Sequence, residues 1–303
     1  MMAHDLRGAV MTSAFRHLLG PALACGALFA AAPAFAQFQP CNRADLQAAA
    51  DSYVTAQTTG DTTPMKFTLW VDYMENLDEA TMSTGVISKP QKIDFHRTLI
   101  DSRNCSTFTE VIITDPAHPY VLGALVQSRG DQIGGMDVLV TDAKNGWLFN
   151  PANTKKYSEA ENWSPIPAAE RDSRQVIQAA ADAYLDLFNN KNAKVPWGTP
   201  CARLEGGAYT SKAQPGSLNP DDSCNVGVPS GVPIVDRTYV IDPELGAVSV
   251  LSHFGKDQEP DFHTFRVEHG KLKYVHTITA CTKVPNCGFK PETPAPAPAQ
   301  ASR

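Results

Sequence analysis

The chain of 303 residues carries none of the short motifs that name a reaction. It has no G-x-S-x-G nucleophile elbow, no H-E-x-x-H zinc helix, no phosphate-cradling loop and no dinucleotide fingerprint. Their absence excludes a motif-based assignment to serine hydrolases, zincins, nucleotide hydrolases or nicotinamide enzymes. No C-x-x-C pair occurs, which removes the usual spacing of a structural zinc site. Past residue 36 no apolar run is long enough to span a bilayer. Positive charge is scarce too, with 26 Lys and Arg against 32 Asp and Glu, a net charge of −6.

The two ends read as segments outside the fold. Arg7 and Arg16 precede the apolar run Leu18–Phe35, which Gly and Pro interrupt, and Ala34-Phe35-Ala36 is a small-x-small cleavage site before Gln37. Residues 1–36 therefore read as a secretory signal peptide, with Met11 as a second possible start. Its removal leaves 24 cationic and 31 anionic side chains, a net charge of −7. A mildly acidic surface argues against nucleic acid or membrane as a partner. Residues 290–303 are a Pro/Ala tail, expected to be extended because proline lacks the N–H that helix or sheet requires.

The cysteines agree with export to a secreted or periplasmic location. Six remain after the signal, and an even count in an exported chain reads as disulfides. Of the fifteen pairings six cysteines allow, the expectation is Cys201–Cys224 and Cys281–Cys287, which close short loops, leaving Cys41–Cys105. Asn104-Cys-Ser and Asn162-Trp-Ser are glycosylation sequons with meaning only in a eukaryotic pathway, and the A-x-A signal is of bacterial type.

The octapeptide LQAAADSY at Leu46–Tyr53 returns as IQAAADAY at Ile177–Tyr184, 131 residues on, with six of eight positions identical. A second match sets Val111–Pro116 against Tyr239–Pro243, aligning Asp115 with Asp242 at an offset of 127. Two matches in the same order point to a duplicated unit. The expected layout is a first domain over 37–150, a Pro-containing linker over 151–171 and a second domain over 172–289. Each octapeptide is the apolar stripe of a helix, the first capped by Asn42 and the second opening at Asp172 with the capping box Asp172-x-x-Gln175. Alternation predicts strands at 108–114, 120–127, 137–141, 237–241, 247–253, 262–268 and 271–279, with hairpin turns at Asn145-Gly146 and His269-Gly270. The fold class is therefore α+β: two tandem copies of a long helix packed on a curved antiparallel sheet.

The last hairpin carries the most chemistry. A two-residue turn at His269-Gly270 pairs His263 with His276, opposed on one face with Val267, Leu272, Phe265 and Tyr274. Such a pair, with Cβ atoms about 5 Å apart, can supply a general acid and a general base. The alternative is two core histidines satisfied by backbone or water, and a bulge would put them on different faces. Arg203, Glu205 and Tyr209 beside Cys201 form a second cluster, either a ligand-binding rim or a surface ion pair. In the first half, Asp115 reads as a turn residue, and His96 is the candidate because Ile93, Phe95 and Leu99 surround it.

A helix beside a curved sheet, twice, resembles the nuclear transport factor 2-like fold of the SnoaL-like cyclases, ketosteroid isomerase and scytalone dehydratase. The strings at 112–120, 161–165, 197–210, 239–242 and 271–276 are similar to a family of secreted fungal and bacterial proteins of unknown function. The wider fold implies a conical cavity and enzymes that move protons without cofactors. The expected function is thus an exported, cofactor-independent acid–base enzyme, a lyase, dehydratase or isomerase, acting on a small, oxygenated, partly apolar molecule. His276 and His263 would transfer protons and Tyr274 would orient the substrate. Arg203, Glu205, Tyr209 and Phe265 would bind it. The alternative is a non-catalytic ligand-binding or assembly module. A third reading, a divalent metal held by His263 and His276, lacks a third ligand.

Overall fold

A computed structural model describes residues 41–214 and 216–289. The segments read as a signal peptide and as a Pro/Ala tail lie outside those residues. The chain begins with α1 (Arg43–Thr59), whose N-cap Asn42 accepts from the Ala44 N–H and whose C-cap Gly60 takes the left-handed conformation at φ 72°. Six strands follow: β1 (Phe67–Glu75), β2 (Asp78–Glu79), β3 (Phe95–Asp101), β4 (Ser106–Ile113), β5 (Tyr120–Arg129) and β6 (Gln132–Thr141). After α2 (Pro151–Ala160) the pattern repeats as α3 (Arg174–Leu187), β7 (Trp197–Glu205), β8 (Ala208–Tyr209), β9 (Ile234–Asp242), β10 (Ala247–Phe254), β11 (Glu259–Glu268) and β12 (Lys271–Thr279).

The two sheets have the same order, β2-β1-β6-β5-β4-β3 and β8-β7-β12-β11-β10-β9. This corrects the expected fold class. Each sheet is six-stranded and mixed, because β1 runs parallel to β6 and β7 parallel to β12. Among the described residues strand dominates over three short α-helices, the longest of 17 residues. The parallel strands were hidden in the sequence because each shifts register in mid-strand and shows irregular burial, so neither carries a clean alternation.

The structure also redraws the repeat. Helix and first strands match at offsets of 131 and 130, whereas β3 to β6 match β9 to β12 at 139 to 141. The difference is the longer loop over 210–233. Asp242 therefore corresponds to Asp101, not Asp115, so the second sequence match was fortuitous. The counterpart of the final hairpin turns at Gly130-Asp131, between Arg129 and Gln132. Asn145-Gly146 is no hairpin: Gly146 bridges Ala280, and the Trp147 N–H donates to Thr279 O at 3.0 Å, carrying the chain onto the second sheet. The capping box moves as well. Ser173 caps α3, while Asp172 accepts from the Gly270 N–H at 2.8 Å and so braces the last turn.

Alternation puts a core on both faces of each sheet. Tyr53 and Ala56 of α1 pack on Val111, Leu122 and Val126. Tyr184, Leu185 and Phe188 on the α3 side pack on Val250, Phe265 and Val275. The opposite faces meet each other, Leu99, Phe108 and Leu125 against Val240, Phe262 and Ile278. The layers run helix, sheet, sheet, helix within one compact unit. A Cβ on Gly123 would stand 2.7 Å from Phe262, so this close approach requires glycine.

A reciprocal exchange fastens the halves. Arg43 donates to both oxygens of Asp242, at 3.0 and 2.8 Å, and Arg174 to both oxygens of Asp101, at 2.8 Å each. Each carboxylate also accepts a backbone N–H from the other half's edge strand, Ile100 to Asp242 and Ile241 to Asp101, both at 2.9 Å. Bidentate, charge-assisted geometry of this kind is strong and directional. The segment read as a linker joins the same interface, since α2 leads into Glu161, Trp163 and Ile166, all buried.

Three disulfides close, Cys41–Cys105, Cys201–Cys224 and Cys281–Cys287, in the pairing expected. No helix among the described residues is long and apolar enough to cross a membrane.

Candidate functional site

The final hairpin decides the site, and its register differs from the expected one. Val267 pairs with Leu272 but Arg266 pairs with Tyr274, so Lys273 is an extra residue in β12. From that bulge onward His263 lies opposite Thr277, and His276 opposite Thr264. A one-residue slip turns side chains to the other face. The two histidines therefore point to opposite sides of the sheet. They form no acid–base pair with each other and cannot share a metal ion. Among the described residues there is no group of three or more His, Cys, Asp or Glu able to hold a metal.

His276 faces the first half and closes a buried charge cluster. Its Nε2 lies 2.6 Å from Glu161 Oε2, and its Nδ1 lies 3.4 Å from Glu110 Oε1 on β4. Glu161 also accepts from Trp163 Nε1 at 2.8 Å and from the Tyr209 hydroxyl at 3.0 Å. Arg97 on β3 reaches Glu110 at 3.4 Å, donates to Ser158 O at 2.6 Å and lies 4.2 Å over the Trp163 ring. Burial alone would lower the His276 pKa, but Glu161 and Glu110 outweigh it and raise it to about 9. The Glu110 carboxyl is lowered, because His276 and Arg97 overcome the opposing effect of burial. The side chains of His276, Glu110 and Glu161 are 4%, 5% and 1% exposed, so the cluster is sealed. Tyr274 stacks on Trp163 at 5.8 Å and Tyr209 on Tyr157 at 4.1 Å, both on this side.

His263 faces α3, and there a cavity opens. A cavity of about 70 Å³ lies between walls of Trp147, Phe188, Pro229, Phe254 and Phe289. Its polar floor is built from Arg203, Glu205, His263, Thr277 and Thr279. Strand register sets this floor: His263 pairs with Thr277 and Thr277 with Glu205, one row across β11, β12 and β7. Arg203 lies two residues before Glu205, on the same face, and donates to it and to Gly227 O. Phe265 lies beneath the floor, its ring stacked on His263 at 6.0 Å and edge-on to Tyr184 at 5.2 Å.

His263 does not stand alone. Its Nδ1 lies 2.5 Å from Asp261 Oδ2. Asp261 is itself held by the hydroxyls of Thr279 at 2.6 Å and Ser252 at 3.3 Å, and both Asp261 and His263 are buried. A carboxylate on Nδ1 fixes the ring's orientation and leaves Nε2 as the nitrogen free to exchange a proton. The structure thus gathers His263, Arg203 and Glu205 around one cavity, leaves Phe265 buried beneath them and places His276, Tyr274 and Tyr209 elsewhere. His96 is exposed on β3.

Asp261 went unread in the sequence, although D-x-H on a strand puts both side chains on one face. Glu110 and Glu161 left no local signal, since they approach His276 from 166 and 115 residues away.

The first half has the same frame without the same chemistry. The positions of Asp261 and His263 are held by Leu122 and Ala124, and that of Arg203 by Tyr73. Glu75 matches Glu205, but it accepts from the Tyr73 hydroxyl and the Val86 N–H, at 2.5 Å each. Val86 opens a short 3₁₀ turn, Val86–Ser88, whose Ile87 is fully buried in the first-half core.

Residues 170–279 match the model of a domain of unknown function, DUF8021. The match covers α3 through β12, the half that holds the cavity. No curated protein matches the chain. No solved structure matches it either.

Proposed function

We propose that the protein is an exported enzyme of acid–base type, and that its second half binds a small, oxygenated, partly apolar molecule and moves a proton on it. The observation that carries this reading is the His263–Asp261 pair opening on the cavity that also holds Arg203 and Glu205. Three disulfides support the exported setting. Aromatic walls and a few converging polar groups are the lining that receives part of a small-molecule ligand.

In this reading His263 Nε2 takes a proton from the ligand while Asp261 holds the ring and balances the charge that forms on it. Glu205, one strand beyond Thr277 in the same row, stands across the floor as a second carrier. A positioned general base contributes typically about 10²–10⁴ in rate. The sealed His276 cluster is structural in this account.

The test is solvent exchange. A panel of small ketones, enones and hydroxy acids is incubated with the protein in D₂O, and loss of C–H signal is followed by NMR. Exchange that is present in the wild type and at least about 10²-fold slower in His263→Asn supports the reading. Binding of panel members with no exchange would leave a ligand-capturing module in its place.

A further inference from the structure

The two halves differ at the outer edge of their sheets. β1 and β7 each carry a four-residue bulge, Thr68–Val71 opposite Gly134 alone and Gly198–Cys201 opposite Lys273 alone. In the second half the chain covers its own bulge. The loop over 210–233 returns to it, with Asp222 O accepting the Cys201 N–H at 3.0 Å. Cys224 of the same loop closes the disulfide to Cys201, and both cysteines are fully buried. In the first half the loop between β2 and β3 is shorter and turns inward, where Val86 and Ile87 join the core beside α1. Among the described residues no loop carbonyl accepts the N–H of Val71, the counterpart of Cys201.

The open bulge is also the more apolar one. Leu69 is 91% exposed and Trp70 84%, the two most exposed large apolar side chains among the described residues. The covered bulge has Thr199 and Pro200 in their places. Edge strands that stand alone in water are blunted by charge, proline or a covering segment, and an adjacent Leu and Trp favour burial.

The flanking charges say what covers it. Lys66 and Asp72 are both exposed and lie three residues either side of Leu69. The ion pair of Lys66 is with Asp131 at 3.3 Å, both side chains in solvent. Asp72 has a like charge for a neighbour, since burial and then Asp72 raise the Asp137 carboxyl. A twofold axis through Leu69, with two β1 edges antiparallel, sets Lys66 of each copy opposite Asp72 of the other. It brings the two Leu69–Trp70 pairs together in the middle and delivers a cation to the Asp72–Asp137 pair. The edge is self-complementary, as an isologous contact requires.

We propose that the β1 edge is a dimerisation surface, on which Leu69 and Trp70 pack on the same residues of a second copy of this chain and Lys66 meets Asp72 of that copy. The proposal is independent of the proton-transfer reading. Two anchor side chains and a reciprocal ion pair make a contact at the low end of interface sizes, below about 1,200 Å² in total, so the dissociation constant is on the order of 10 µM.

Sedimentation velocity of the exported chain, with disulfides intact and from about 1 to 200 µM, is the test. Wild type should pass from monomer to dimer across that range. Trp70→Ser should weaken association by at least about 30-fold, the effect of losing a central tryptophan anchor. Lys66→Asp and Asp72→Lys each set like charges opposite one another, and each should weaken it by about tenfold. Mixing these two variants restores opposite charges at both ends of the contact, so the mixture should associate as tightly as wild type. That rescue is specific to a twofold contact between copies, and it carries the test alone if Trp70→Ser fails to fold. A wild type that stays monomeric at the highest concentration overturns the proposal and leaves the bulge to a different partner. A dimer that survives Trp70→Ser, or a mixture no more associated than its components, overturns it equally.

Discussion

The buried His276 cluster should make the stability of the fold fall steadily through mildly alkaline pH. His276 is raised from an ordinary value of 6.5 to about 9 by Glu161 and Glu110, against the opposing effect of burial. Folding therefore favours the protonated ring. The stabilisation is fully present below pH 6.5, declines as the unfolded chain loses its proton first, and is gone above about pH 9. At about 1.4 kcal/mol per unit, the loss across that window is about 3 kcal/mol. Glu110 acts at the other end. Its lowered pKa contributes stability above its ordinary value of 4.5, which is lost as the pH falls further. Stability should thus be greatest between about pH 4.5 and 6.5. The assay is urea unfolding from pH 5 to 9 with disulfides intact, followed by tryptophan fluorescence, to which Trp163 contributes from inside the cluster. His276→Gln should remove the alkaline slope. It should also lower stability at pH 6 by about 3–5 kcal/mol, because it leaves buried carboxylates without their cation. A flat profile from pH 6.5 to 9, or the same slope in His276→Gln, would refute the reasoning.

Three further outcomes follow from the packing. Asp242→Asn should lower stability by about 2–3 kcal/mol in urea titration, since it discharges the fully buried carboxylate that takes the bidentate bond of Arg43; Asp101→Asn should behave alike, and near-neutral variants would show the exchange to be ornamental. Gly123→Ala should cost about 1–3 kcal/mol, because its Cβ meets Phe262 at 2.7 Å, and a wild-type melting temperature would mean the two sheets are not held at this spacing. Cys281→Ser with Cys287→Ser opens a six-residue separation and should cost about 2 kcal/mol. It also loosens the wall residue Phe289, so any member of the ketone panel that binds should bind more weakly; unchanged affinity would show that the loop does not shape the cavity.

What was legible in the sequence was local. The octapeptides do form the buried stripes of α1 and α3, and Tyr53 and Tyr184 are the anchors of their cores. The antiparallel strands β4, β5 and β9 to β12 announced themselves by alternation. The disulfides could be paired because two of them close short loops. The bulge at Lys273 could not be read, since one extra residue in a hairpin leaves no compositional mark, yet it decides which histidine meets the cavity. The parallel strands β1 and β7 were missed for a related reason, their irregular register. Long-range partners were out of reach altogether. Nothing near Asp242 signals Arg43, and nothing near His276 signals Glu110. The segment over 161–166 looked like a linker because it lacks periodicity, but it is buried by single residues rather than by a repeating face.

The central claim is that the two histidines have separate work, His263 at the cavity and His276 in the frame. Side-chain ¹H–¹⁵N correlation spectra of the imidazoles at pH 7, recorded with and without a probe from the panel of small ketones, enones and hydroxy acids, test it most directly. The account predicts that His276 shows both ring nitrogens protonated and does not respond to the probe, whereas the His263 Nε2 resonance moves on binding. A His276 ring that responds while His263 stays still, or a probe that moves neither, would contradict it.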